Sequence, residues 1–181
     1  GWITLGGANT YTGGTVISGG KLLVTNNSSV GTGNVTLDGG TFQASADGLV
    51  FNNAFSITAN NGAIDDNANT LTIGGIISGN GTLTKAGSGT TILTGVNTYT
   101  GGTTVGGGAL IVAGSVVGPV AVNAGGTLGG IGSIGNSGNL SNVAINGGTL
   151  APGLPNVAGL TGSPATVMAG RRRGGVRSAG G

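Results

Sequence analysis

Asn9-Thr10-Tyr11-Thr12-Gly13-Gly14-Thr15-Val16-Ile17-Ser18-Gly19-Gly20-Lys21-Leu22-Leu23-Val24 returns 88 residues later. The second copy is Asn97-Thr98-Tyr99-Thr100-Gly101-Gly102-Thr103-Thr104-Val105-Gly106-Gly107-Gly108-Ala109-Leu110-Ile111-Val112, identical at eleven of sixteen positions. A finer period lies inside that distance. Corners of the Gly-Gly-Thr-Leu type recur with their second residue at Gly20, Gly40, Gly62, Gly81, Gly108, Gly126 and Gly148, in steps of 20, 22, 19, 27, 18 and 22. Short strands punctuated by glycine corners every 20 residues or so are the pattern of a solenoid. One such rung cannot bury its inward side chains alone. Stacked at about 4.8 Å, rungs pair every strand with its neighbours above and below.

The chain therefore reads as all-β, a parallel β-helix of about seven to eight rungs of roughly 20 residues over residues 1–153. An irregular tail follows over 154–181. Strands are expected at Val35-Thr36-Leu37, Phe55-Ser56-Ile57, Leu71-Thr72-Ile73, Val120-Ala121-Val122 and Val143-Ala144-Ile145, where apolar and small or polar residues alternate. No stretch keeps helical spacing without Gly or Asn interrupting it. Of 181 residues 44 are Gly, which serve corners needing positive φ and close backbone approach. Only 3% are aromatic, in keeping with a narrow tube that bulky rings would not fit. Hydrophobic residues at 37% with a net charge of +2 separate the chain from disordered glycine-rich sequences.

Composition removes whole classes of function. The chain has no His, no Cys and no Glu, and its acids are Asp38, Asp47, Asp65 and Asp66. General acid–base catalysis needs a positioned proton carrier, a nucleophilic hydroxyl needs an activating base, and zinc needs His or Cys. No catalytic, cofactor or metal site is expected. No run of 18 apolar residues is present, so no transmembrane helix is expected.

Each motif that could carry chemistry has a plainer reading. Gly130-Ile131-Gly132-Ser133-Ile134-Gly135 fits the dinucleotide pattern, but Asn136-Ser137-Gly138 follows and no acid occurs after Asp66. Two glycine corners explain it. Gly19-Gly20-Lys21 lacks the spacing of a phosphate loop, and Leu22 replaces the magnesium-binding hydroxyl. Asp65 and Asp66 are adjacent, so a strand would point them to opposite faces, and a turn or solvated edge is expected for them. The triplets Thr10-Tyr11-Thr12, Thr70-Leu71-Thr72, Thr82-Leu83-Thr84 and Thr98-Tyr99-Thr100 are unevenly spaced and read as ordinary strand threonine. Arg171-Arg172-Arg173, with Arg177, lacks interleaved aromatics, and no nucleic-acid partner is expected.

Residues 81–105, Gly-Thr-Leu-Thr-Lys-Ala-Gly-Ser-Gly-Thr-Thr-Ile-Leu-Thr-Gly-Val-Asn-Thr-Tyr-Thr-Gly-Gly-Thr-Thr-Val, closely resemble the autotransporter-associated β-strand repeat. This is the passenger-domain repeat of Gram-negative type V secreted proteins. Trp2 to Val24 resembles its second half. Gly125-Gly126-Thr127-Leu128-Gly129-Gly130-Ile131-Gly132-Ser133-Ile134 and Gly147-Gly148-Thr149-Leu150-Ala151-Pro152-Gly153 look like the terminal rungs of many such passengers. The resemblance covers about residues 1 to 153. It implies a right-handed parallel β-helix, exported by a C-terminal outer-membrane barrel and displayed at the bacterial surface or released. Adhesion, autoaggregation and biofilm roles go with it, and no catalytic residues.

The chain starts in mid-repeat without signal peptide or barrel, and reads as a fragment of a longer passenger. Beyond Gly153, Pro and Arg replace the β pattern, as a shifted reading frame or gene boundary would produce. The expected function is a structural stalk and adhesive segment, with self-association or host or bacterial surface glycans as partners. The alternative is a carbohydrate- or ice-binding β-solenoid, which needs Thr or Asn aligned on at least three successive rungs. A polysaccharide-cleaving solenoid would need clustered carboxylates, for which Asp65-Asp66 is the sole candidate.

Overall fold

In the computed structural model of the chain, residues 1–135 and 143–153 are described. The tail expected over 154–181 lies outside them. Among the described residues every regular element is a strand, and the strands stack in parallel as a β-solenoid of about seven turns. All five strands expected from alternation are present.

The solenoid has three sides. The first carries eight parallel strands: Trp2–Leu5, Lys21–Val24, Thr41–Ala44, Gly62–Asp65, Leu83–Ala86, Thr103–Val105, Val120–Asn123 and Val143–Asn146. The second carries six: Leu49–Phe51, Thr70–Ile73, Thr90–Leu93, Gly108–Val112, Gly126–Gly130 and Thr149–Pro152. The third begins with Thr15–Ile17, Val35–Leu37, Phe55–Ile57 and Ile77–Gly79, and ends with the pair Ser115–Val116 and Ser133–Ile134. Hydrogen bonds from Thr98 N to Ile77 O and from Asn97 N to Ser115 O join the two parts.

Register converts the 20-residue period into columns. On the first side Leu22, Phe42, Ile64, Lys85, Val105 and Val122 stand directly above one another and point inward. On the second, Leu49, Leu71, Thr91, Leu110, Leu128 and Leu150 form the inner column. The apolar residues of these columns make one continuous core, interrupted by Lys85 and Thr91, in which each rung is covered only by its neighbours.

The tube is wider than the low aromatic content suggested. Phe42, Phe51 and Phe55, all the phenylalanines of the chain, are fully buried, and so is Tyr99. The three phenylalanines belong to one rung, one on each side. The Phe42 ring meets Phe51 at 4.9 Å and Phe55 at 5.3 Å, both edge-to-face. The expectation that rings would not fit is therefore corrected: three inward vectors converge on the axis, and tilted rings interlock there.

The two copies of the sixteen-residue block take the same local structure on different sides. Thr15–Ile17 lies on the third side and Lys21–Val24 on the first. Their counterparts Thr103–Val105 and Gly108–Val112 lie on the first and second. The 88-residue separation is thus four rungs plus one side.

Candidate functional site

The signature block is a staple between rungs. Asn9 Nδ2 donates to Gly7 O (3.3 Å) and, in the next rung, to Ser29 O (2.7 Å). Asn97 Nδ2 does the same with Gly95 O (3.0 Å) and Ser115 O (2.9 Å), and its Oδ1 accepts the Ile77 N–H (2.8 Å) from the rung before. One buried amide thereby ties three successive rungs. The tyrosines also match: Tyr11 Oη and Thr15 Oγ1 lie 2.6 Å apart, as do Tyr99 Oη and Thr103 Oγ1. Gly14 and Gly102 turn the corner at φ 83° and 89°. Burial pushes the Tyr99 hydroxyl up to about 12, against the opposing effect of its bond to Thr103.

Asp65 and Asp66, expected at a turn or solvated edge, are both buried. Strand Gly62–Asp65 ends at the corner between the first and second sides, and the corner turns both carboxylates toward lysines. Asp66 Oδ2 lies 2.5 Å from Lys85 Nζ and accepts the Thr91 hydroxyl at 3.1 Å, while Oδ1 accepts the Gly89 N–H at 2.8 Å. Lys85 Nζ also donates to the carbonyls of Gly87 (2.9 Å), Gly107 (2.9 Å) and Gly89 (3.3 Å). Asp65 Oδ2 accepts from Gln43 Nε2 at 2.7 Å and from Lys21 Nζ at 3.0 Å. The corner has no room for side chains at its glycines. Gly87 and Gly108 have φ of 83° and 57°, and a Cβ on them would strike Asp66 Oδ1 and Gly89 O respectively.

The other two acids, half-buried Asp38 and exposed Asp47, brace corners. The Thr58 hydroxyl and Asn60 amide hold the Asp38 carboxyl below the usual carboxylate range, and the Thr70 N–H does the same for Asp47. Every carboxylate side chain of the chain is thus committed to a structural contact.

The remaining motifs fall into the frame of strands and corners. Gly130 ends one strand and Ser133–Ile134 forms the next, so the dinucleotide-like motif is a corner. Lys21 opens a strand and serves Asp65. The Thr-x-Thr triplets are dispersed over the second side, the first side and the two staple corners. Register does place Thr70, Thr90, Ala109, Thr127 and Thr149 in one column of the second side, interrupted at Ala109. Thr36, Ser56 and Ser78 align on three successive rungs of the third side, but these hydroxyls are engaged. Thr36 and Ser56 share a 3.0 Å bond and both accept from Asn34, and Ser78 donates to Phe55 O.

One open concavity lies where the second side begins. The first two rungs carry no strand there, and an Asn/Ser/Thr-rich loop, residues 25–34, stands beside Leu49–Phe51, the edge strand of the six-stranded sheet. The groove between them has a volume of about 520 Å³ and is lined by Asn27, Ser28, Thr32, Val50 and Asn52 among others, with no charged side chain. Nothing in the sequence pattern marks it except the missing strand. No helix among the described residues is long and apolar enough to cross a membrane.

Comparison with known proteins agrees with this geometry. The family model of the passenger-associated-transport-repeat matches residues 3–24 and 83–112, the two segments that contain the staple. The Adhesin BmaC autotransporter of Brucella suis biovar 1 (strain 1330) is 43% identical over 93 residues. That alignment covers 49% of this chain and 3% of the relative, so the chain spans a small fraction of that protein's length. No solved structure matches the chain.

Proposed function

We propose that this chain, which carries the autotransporter passenger repeat, is a non-catalytic stalk and adhesive segment of a surface-displayed passenger. Residues 1–153 would be its β-helix domain, and the parent protein would supply the C-terminal outer-membrane barrel. The observation that carries the reading is the fate of the chain's chemistry. All four carboxylates, both lysines and the signature asparagines are spent on joining rungs, and the signature tyrosines on bracing their own corners, leaving a weakly charged rod. The name of the relative, an adhesin autotransporter, supports display and adhesion for the parent molecule.

The test is adhesion itself. Beads coated with the chain are expected to adhere to host-cell or bacterial surfaces above beads carrying an unrelated protein of similar charge. Equal adhesion by both bead types would sink the adhesive part of the reading. Hydrolysis of any polysaccharide by the purified chain would sink the non-catalytic part.

A further inference from the structure

The geometry points to the groove between loop 25–34 and strand Leu49–Phe51 as a binding site for a neutral oligosaccharide. The inference rests on the adhesive reading and gives it a place on the molecule. Three groups at the groove, the hydroxyls of Ser28 and Thr32 and the carboxamide of Asn52, are exposed and bond to no side chain or backbone group among the described residues. They contrast with Thr36, Ser56, Asn53 and Asn97, whose polar groups are engaged within the chain. Free hydroxyls and a free amide, each able to donate and accept, match the alternating donors and acceptors of a polyol. Val50, 38% exposed, offers an apolar patch for a sugar's C–H face.

The walls are held before any ligand arrives. Asn53 Nδ2 donates to Gly31 O (3.1 Å) and Gly33 O (2.8 Å), and Asn26 Nδ2 to Gly6 O (2.7 Å). A pinned groove loses less freedom on binding. Its volume falls in the range of small-molecule sites. The lack of charge disfavours sialylated or sulfated glycans, whose anions would find no cation. An extended peptide is disfavoured for a different reason. Strand addition needs free N–H groups along the edge, and the Val50 N–H is already bonded to Asn27 Oδ1 at 2.9 Å. With no aromatic platform in the lining, single-site affinity is weak, on the order of millimolar, and useful retention comes from multivalent display.

The experiment presents neutral oligosaccharides multivalently on beads and measures retention of the full chain, with Thr32→Val and Asn52→Ala variants alongside. Both side chains are exposed and unbonded, and the substitutions leave the backbone bond from Thr32 N to Tyr11 O in place, so the variants keep the wild-type melting temperature. Thr70→Val, on the open threonine column of the same side, is the control. At least one neutral oligosaccharide is expected to retain the wild type and Thr70→Val, with a tenfold loss in either groove variant. The proposal is overturned if no neutral glycan retains the chain, if the groove variants bind like wild type, or if an extended peptide occupies the groove instead. Bead adhesion that persists when glycan retention fails overturns the groove alone. Glycan retention without cell adhesion overturns the adhesive reading alone.

Discussion

Lys85 Nζ lies 2.5 Å from Asp66 Oδ2, and neither side chain has any exposed surface. The lysine occupies an apolar column, between Ile64 below and Val105 above, and the pair joins one rung to the next. Removing the cation strands a carboxylate in the core. Lys85→Met, which keeps the apolar stem, is expected to cost about 3–5 kcal/mol by chemical denaturation. Lys85→Met with Asp66→Asn should cost clearly less than the two single changes together, because no uncompensated charge remains. Additive losses would mean that the two residues act independently.

The two staple asparagines provide an internal comparison. Asn97 is buried and bridges three rungs, whereas Asn9 is half-buried and its side-chain amide reaches one neighbouring rung. Asn97→Ala leaves the buried Ile77 N–H without its acceptor, although the Ser115 carbonyl keeps its bond from the backbone N–H of residue 97. It should cost about 2–3 kcal/mol, while Asn9→Ala should cost about 1. Equal losses would contradict the three-rung role.

Tyr99 predicts an alkaline limit. Its folded-state pKa is raised to about 12, above the ordinary value of 10.0. The neutral form is favoured in the fold, so this contribution is fully present below pH 10 and declines as pH rises toward 12. Over that window stability should fall by roughly 2–3 kcal/mol from this group, at about 1.4 kcal/mol per pKa unit. Thermal melts from pH 9 to 12 check it: Tyr99→Phe should flatten the slope, and an unchanged slope would assign the loss to other groups.

The phenylalanine rung is the third energetic centre. Phe42→Ala removes the ring that both Phe51 and Phe55 contact, and a cost of about 3–5 kcal/mol is expected. Phe42→Leu should recover more than half of it. If Phe42→Ala melts like the wild type, the rings do not lock the rung.

The period, the glycine corners and the strands were legible because each rung must solve the same burial problem in about 20 residues. Two features were not read, although signals for both were present. Asp66 and Lys85 are 19 residues apart, close to one period, and Asp65 and Lys21 are 44 apart, close to two. Charge pairs at multiples of the period are stacked pairs, whereas the alternation rule for a single strand sent the acids outward. The second feature is the rotation of the repeat: 88 is not a multiple of 20, and the remainder is one side of the rung. The phenylalanines were misjudged because aromatic content was averaged over the chain, while Phe42, Phe51 and Phe55 are concentrated in one turn. The groove beside Leu49–Phe51 left no residue signature, since it arises from a strand that is absent.

The displacement of the block from one side to the next bears on how such genes change length. An unequal exchange between the two copies would delete 88 residues and still leave an intact Asn-Thr-Tyr-Thr-Gly-Gly-Thr junction. The rod would shorten by four rungs, about 19 Å at the strand spacing. Everything beyond the junction would also swing by about a third of a turn. Recombination at this block therefore alters the azimuth at which distal surfaces are presented, without disturbing a single corner of the scaffold.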